Sequence, residues 1–364
     1  MKVLHLNTEK TWRGGEQQTL YLLQGLQDEN IISHLVCQPG SPIFKRACKL
    51  GIEVFPVAMR GEVDPMAILR LKSLIKKHGY HIIHSHTSHA HALAFWSSLG
   101  TGVRRLVSRR VDFSIYRHSF LRLSGFKYQR MADFYIAISH KIKDVMAGDG
   151  IDADRIFVVH SGIDPDRFTG AACDYLKSEF NLKDNERVII NVAHLAGHKG
   201  QKFLVRAIPL VLEKIPNVRF FIIGGGKLSG ELKVLASSLG LRHELIFTGF
   251  REDVGAFYKL SDLFVMSSIQ EGLGTAVLDA LAMGKPVVAA DSGGIAEMIT
   301  DGRTGRLVAA ADPRALAGGI VDMLEHMDLA KQMAQEGRKM VRQKFSIEAM
   351  VAKNINVYRQ IMAH

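Results

Sequence analysis

The stretch Glu271-Gly272-Leu273-Gly274-Thr275, followed by Asp279, sets two carboxylates eight positions apart, with a glycine-flanked turn at the start of a helical pattern between two apolar runs. Main-chain N–H groups at a helix N-terminus point outward without partners and carry partial positive charge, so this order suits a phosphate or a sugar hydroxyl. The glycines let such a ligand come close to the backbone. Gly14 and Gly15, between the first apolar run and an amphipathic stretch, form a second loop able to lay N–H groups on phosphate oxygens. Gly224-Gly225-Gly226 follows another apolar run. No G-x-G-x-x-G opens a helix with an acid some 20 residues on, so a dinucleotide fingerprint is excluded.

HGYHIIHSHTSHAHAL, from His78 to Leu93, contains six histidines, and a transition-metal site has to be weighed. No carboxylate or cysteine accompanies them at ligand spacing, and His89 and His91, two apart on a helix, do not share a face. The expectation is no metal. His84 and His86 project on the same side where a strand ends. The cysteines, Cys37, Cys48 and Cys173, show neither a C-x-x-C spacing nor a disulfide framework.

These residues need a frame, and the chain provides short apolar runs separated by longer amphipathic stretches, the pattern of βα units feeding a parallel sheet. Strands are expected at residues 3–6, 33–37, 53–57, 82–85, 105–108, 134–138 and 156–159. A turn-rich, polar stretch from Ser161 to about Asn185 reads as a linker. A second series is expected at 187–192, 219–223, 245–248, 263–266 and 286–290, with helices from about Pro313 to the end. The reading is two doubly wound Rossmann-like domains, 1–170 and 171–345, with a terminal helix at 346–364 joining the first. In such sheets ligands collect beyond the carboxyl ends of the strands, where all the residues above lie. Two such domains facing one another would enclose a central cleft.

Length and composition agree with this. A chain of 364 residues fits two cores, and 47% hydrophobic with 23% charged residues excludes disordered and fibrous classes. No apolar run approaches 18 residues and the N-terminal one is too short for a signal-peptide core, so a cytoplasmic protein is expected. The net charge of +11 favours anionic partners. It concentrates between residues 104 and 130, where Arg104, Arg105, Arg109, Arg110, Arg117, Arg122, Lys127 and Arg130 interleave with Phe113, Ile115, Tyr116, Phe120, Leu121 and Phe126. Cations beside exposed aromatics suit a peripheral contact with an anionic bilayer on the inner face of the cytoplasmic membrane.

SSIQEGLGTAVLDALAMGKPVVAADSGGIAEMI resembles the signature of glycosyltransferase family 4, the group 1 glycosyltransferases of GT-B fold. The resemblance implies that Glu271 bonds the hydroxyls of a transferred sugar and that Asp279, where the family usually has Glu, holds the ribose of a nucleotide. NVAHLAGHKG resembles the segment in which an Arg and a Lys neutralise the donor diphosphate; Lys199 matches, and His194 stands where Arg is usual. A fixed ammonium at the departing diphosphate stabilises the transition state more than the ground state. Gly14 and Gly15 match the family's glycine loop, Gly224 and Gly225 a loop beside the nucleotide, and Gly249-Phe250-Arg251 one near the base, with Arg251 as a contact. The His-x-His strand end implies His86 as the residue approaching the donor sugar, with His84 packed behind it.

The activity so implied is metal-independent, cofactor-free, retaining transfer from a nucleoside diphosphate sugar to a glycan or lipid-linked acceptor, in bacterial cell-surface polysaccharide or lipopolysaccharide synthesis. The second domain would bind the donor and the first the acceptor. A nucleotide-sugar 2-epimerase of the same fold is the enzymatic alternative. A basic nucleic-acid-binding protein is the other, although no helix-turn-helix, zinc or aromatic stacking module is evident and no nucleic-acid partner is expected.

Overall fold

The computed structural model describes residues 1–116 and 123–363, so Arg117, Phe120, Leu121 and Arg122 of the basic stretch lie outside the described residues. The chain divides into two compact units, Met1–Gly162 with Ile347–His364, and Ile163–Ser346. Both are α/β, each built on one parallel sheet with helices between successive strands.

The first sheet has seven strands: β1 (Lys2–Asn7), β2 (Ile32–Cys37), β3 (Val54–Pro56), β4 (Ile82–Ser85), β5 (Arg104–Arg109), β6 (Phe134–Ala137) and β7 (Ile156–Val158). Their spatial order is β3-β2-β1-β4-β5-β6-β7, so the winding reverses between β1 and β4. Val3 lies opposite Ile82 and Leu6 opposite Ser85 in that pairing. Strands covered on both faces carry near-continuous apolar side chains, which is why runs such as Leu35-Val36-Cys37 are fully buried.

Helix boundaries follow local chemistry. Asp64 accepts hydrogen bonds from the N–H groups of Met66 and Ala67, each 3.2 Å, ahead of Pro65 at the first helical position, and Gly79 closes the helix Pro65–His78. Asp312 caps Pro313–Glu325 in the same way. The final helix, Ile347–Ala363, packs in the first unit. Met350, Val351, Ile355, Tyr358 and Ile361 join Val3, Leu22, Leu26 and Ile82 in one buried cluster, and a side chain at Gly25 would collide with Val351. Each such aliphatic side chain contributes about 1.5–3 kcal/mol by leaving water.

The second sheet has six strands: β8 (Arg187–Val192), β9 (Val218–Ile223), β10 (Leu245–Gly249), β11 (Leu263–Met266), β12 (Val287–Ala290) and β13 (Arg306–Val308), in the order β10-β9-β8-β11-β12-β13. Its winding reverses between β8 and β11. The edge strand β13 is absent from the sequence reading. It is three residues long, half-buried and begins with an arginine, so it lacks the apolar run that marks its neighbours.

The expected linker instead belongs largely to the second unit. The Ile163 N–H donates to the Phe345 carbonyl at 2.9 Å, Arg342 pairs with Asp166, and the Phe168 ring stacks on Tyr258 at 5.6 Å. Tertiary partners order a segment whose composition reads as loop.

Candidate active site

In the second unit the loops after β8 and β11 are locked together. Gly200, at φ 64°, ends the turn Gly197–Lys199; any Cβ there would strike the Ser267 carbonyl and its backbone conformation favours glycine. Ser267 Oγ donates to the Lys199 carbonyl at 3.1 Å, and the Ile269 and Gln270 N–H groups donate to the His198 carbonyl at 2.9 and 3.2 Å. This brings the Lys199 ammonium onto Glu271 Oε2, where Ser268 Oγ also donates at 3.1 Å. Lys199 and Glu271 keep only 17% and 12% of their side-chain surface exposed.

The turn after Glu271 is held from β12. The Gly294 N–H donates to the Glu271 carbonyl at 2.9 Å, and a side chain on Gly293, at φ 57°, would run into that same carbonyl. Gly274 then opens the helix Thr275–Ala282 without a side-chain cap; the Val277 N–H turns back onto the Gly274 carbonyl at 2.9 Å, which leaves Thr275 and Ala276 to head the helix. Leu273 is buried, so only its backbone can meet a ligand, whereas Thr275 is exposed and Gly272 half-buried. Asp279, on that helix, is partly buried; burial pushes its carboxyl up to about 7, against the opposing pull of Arg167.

Around these, the His194 side chain is exposed just after β8, while its carbonyl accepts from Gln201 Nε2 at 3.1 Å. The Gly224 N–H donates to Gly249 at 2.8 Å and the Gly225 carbonyl accepts from Leu195 at 2.9 Å, joining the loops after β8, β9 and β10. Arg251, expected as a contact near the base, meets two carboxylates in this structure. Its Nη1 and Nη2 donate to the Glu179 carboxylate at 2.7 and 3.1 Å, and its Nε and Nη2 to Asp253 at 2.8 and 2.7 Å. A guanidinium holding two carboxylates as forks ties this loop to Glu179 and Asp253. Its neighbour Phe250, 78% exposed, is the side chain that this loop presents to solvent.

In the first unit, His86 is buried at the end of β4. Its Nε2 lies 2.9 Å from His5 Nδ1 with the rings stacked, and its Nδ1 lies 3.5 Å from Arg110 Nη2. His84 is fully buried between the Tyr358 and Ser108 hydroxyls, each 2.7 Å from a ring nitrogen. Ligand atoms of His5, His84 and His86 lie within 4.8 Å of one another, the grouping among the described residues that could hold a metal ion. Both His84 nitrogens already meet hydroxyls, and the Arg110 guanidinium beside His86 opposes a second cation. Burial, first of all, holds all three imidazoles neutral, His5 down to about 3. Gly14 and Gly15 open the helix Gly14–Asp28, and Glu16, buried, accepts from Asn7 Nδ2 at 3.3 Å and from the Arg13 N–H at 3.0 Å.

Sequence reasoning missed His5, Glu16 and Ser268. A polar residue inside an apolar strand run, as His5 is, was the available signal for the first. Of the basic stretch, Lys127 is tied to Glu62 and to Ser88 Oγ at 3.0 Å, and Arg105 to Asp133, so neither ammonium nor guanidinium is simply solvated. No helix of the described residues is long and apolar enough to cross a membrane.

Residues 12–167 match Glycosyltransferase Family 4, and residues 174–340 match Glycosyl transferases group 1. The GDP-mannose-dependent alpha-(1-6)-phosphatidylinositol monomannoside mannosyltransferase of Mycolicibacterium smegmatis is 30% identical over 293 residues, 76% of this chain and 75% of its own. EpsD of Bacillus subtilis is 28% identical over 323 residues, 83% of each chain. Among solved structures, Anabaena HepE in complex with UDP superposes with a TM-score of 0.86 at 21% identity, covering 99% of this chain and 100% of its own. With a family match on each half, a relative at 30% identity over three quarters of the chain and two GT-B-type sheets, the protein belongs to the group 1 glycosyltransferases of family 4 and is a transferase of sugars.

Proposed function

We propose that the chain transfers a sugar from a nucleoside diphosphate sugar, with retention at the anomeric carbon, to a glycan or lipid-linked acceptor in the assembly of a bacterial cell-surface polysaccharide. The observation that carries this is the Lys199–Glu271 pair, an ammonium and a carboxylate set at strand ends beside an uncapped helix N-terminus. That arrangement supplies a cation for a leaving diphosphate, a carboxylate for sugar hydroxyls and free N–H groups for oxyanions. Asp279 is assigned to the ribose, His194 and the backbone of Gly224, Gly225, Gly272, Leu273 and Thr275 to the donor, and Gly274 to opening the helix. His86 is assigned to the transferred sugar, the backbone of Gly14 and Gly15 to the donor, and the rest of the first unit to the acceptor. The relatives' names support a nucleotide donor: one is GDP-mannose-dependent, and HepE was solved with UDP. Retention and independence from metal follow the family resemblance.

A panel of nucleoside diphosphate sugars screened by thermal shift would identify the donor, because a ligand that binds only the folded state raises its apparent stability. Product analysis with and without acceptor follows. No stabilisation by any member would overturn the donor reading, and a rearranged nucleotide sugar formed without acceptor would replace transfer by epimerisation.

We further assign the protein to the cytoplasmic face of the membrane through the basic stretch at 104–130. Because Lys127 is held by Glu62, the testing variant replaces Arg117, Arg122 and Arg130 by Ser. Its sedimentation with anionic vesicles should fall relative to wild type, most at low salt. Equal sedimentation of the two would reject membrane contact.

A further inference from the structure

His5 is a fully buried imidazole between Leu4 and Leu6 on β1. Leaving a buried polar atom without a hydrogen bond is unfavourable, and His5 Nε2 has no partner. The strand pairing fixes what the other ring nitrogen meets. His5 stands opposite His84 in the parallel register, and the His86 N–H donates to the Leu6 carbonyl at 3.0 Å, so His86, two positions beyond His84, projects on the same side of the sheet. His5 Nδ1 therefore comes to 2.9 Å from His86 Nε2, while the His84 ring backs His86 with centroids 4.2 Å apart.

Arg110 decides where the protons of this pair sit. A guanidinium only donates hydrogen bonds. Its Nη1 donates to the His86 carbonyl at 3.4 Å, and its Nη2 lies 3.5 Å from His86 Nδ1, so that nitrogen presents a lone pair. The neutral ring then carries its proton on Nε2 and donates it to His5 Nδ1, which puts the His5 proton on the orphaned Nε2. With His5 as the donor instead, an N–H of His86 would face both a donor and a positive charge. A doubly protonated His86 is disfavoured, because burial first, then His84, Arg110 and His5, hold it well below the ordinary 6.5. The contact of Nδ1 with Arg110 is at the outer limit of hydrogen bonding, so its lone pair is only weakly engaged.

We propose that His5 is a positioning residue for sugar transfer: it accepts the Nε2 proton of His86 in a hydrogen bond, holds that ring as a single tautomer, and so presents the Nδ1 lone pair of a neutral imidazole to a hydroxyl of the transferred sugar. The proposal rests on the assignment of His86 to that sugar. It makes His86 an acceptor from a sugar O–H, and neither a cation nor a proton donor to the substrate.

The test compares the full-length wild type with His5→Leu, His5→Asn and His86→Ala. Asparagine Oδ1 takes the place of His5 Nδ1 and accepts, whereas leucine cannot. In 15N spectra of histidine-labelled protein, with signals identified among the 16 histidines by their loss in His86→Ala and His5→Asn, both rings should carry the proton on Nε2 and a bare Nδ1. Turnover is measured with the nucleoside diphosphate sugar that the thermal-shift panel selects, and binding of free UDP and GDP by calorimetry. His5→Leu should lower kcat at least about tenfold and His5→Asn should restore most of it, with Kd for UDP and GDP within about twofold of wild type in both, because a misplaced ring acts on the sugar. A purely structural His5 would instead make kcat follow Tm, with asparagine, polar and buried in a strand, the worse replacement. Wild-type kcat in His5→Leu, equal losses in the leucine and asparagine variants, or a proton on His86 Nδ1 in the wild type would each overturn the proposal. Activity lost in His86→Ala and kept in His5→Leu counts against His5 alone. Full activity in His86→Ala would remove His86 from the sugar, and with it the reading on which the proposal rests.

Discussion

Lys199 and Glu271, 72 positions apart in the chain, meet as an ion pair because the backbones after β8 and β11 are fastened to each other. The pair is largely withdrawn from solvent, so removing one member leaves the other poorly satisfied. Lys199→Ala and Glu271→Ala should each lower kcat roughly a hundredfold, the effect of about 3 kcal/mol in the barrier. The double variant should lose less than the sum of the two, because the residues act together. Steady-state kinetics at saturating donor decides it. Turnover unchanged in both single variants would remove them from the reaction.

Asp279 gives the stability a falling limb with pH. Its folded-state carboxyl titrates near 7 and its unfolded one near 3.8, so between those values the folded chain holds more protons and stability falls as pH rises. Fully expressed, three units correspond to about 4 kcal/mol, an upper figure for a group that is only partly buried. Asp279→Asn should flatten urea-unfolding stability between pH 4 and 7 and raise it at pH 8. Identical slopes for wild type and variant would show that the carboxylate is already compensated.

The buried histidines act in the opposite direction. His5 and His91 are pushed down to about 3 by burial, and His84 and His86 well below 6.5, so the unfolded chain takes up protons first and stability drops as pH falls below 6.5. Each contributes a slope of about 1.4 kcal/mol per pH unit inside its window. His91 offers the cleanest comparison, since both ring nitrogens are buried without partners and His91→Leu removes a single titration. The variant should be the more stable protein at pH 5, by thermal melts. A chelator should change neither Tm nor turnover of the wild type, and activity abolished by it and restored by one metal would assign His5, His84 and His86 as ligands.

Arg251→Ala should act on the fold and not on donor affinity. Losing the forks to Glu179 and Asp253 should lower stability by about 1 kcal/mol, a modest figure because the pairs are partly exposed. The nucleotide Kd should stay within about twofold. A tenfold rise in Kd at unchanged Tm would return Arg251 to the donor site.

The two sheets were legible in the sequence because their strands are buried on both faces. Ile82–Ser85, Arg187–Val192 and Leu263–Met266 start and stop at the residues expected, each built on a short apolar core, Ile82-Ile83, Val188-Ile189-Ile190 and the whole of Leu263–Met266. β13 was not, because a half-buried edge strand of three residues imposes no such run. The segment 161–185 read as a linker because the order of most of it comes from partners distant in sequence, Phe345, Arg342 and Tyr258.

For the site, the sequence determined which residues stand at strand ends, since residue type and the βα rhythm place Lys199, Glu271, Gly274 and Asp279 beyond the carboxyl edge of a sheet. Only the tertiary structure decided what each side chain meets there. It pairs Lys199 with Glu271, turns Arg251 onto Glu179 and Asp253, and sets His5 and Arg110 against His86. The order along a sheet is not the order along the chain: β1 carries His5 next to β4, so residues about 80 positions apart become nearest neighbours. Position along a strand is a local property written in hydrophobic period, whereas hydrogen-bond partners and desolvation depend on which strands lie side by side.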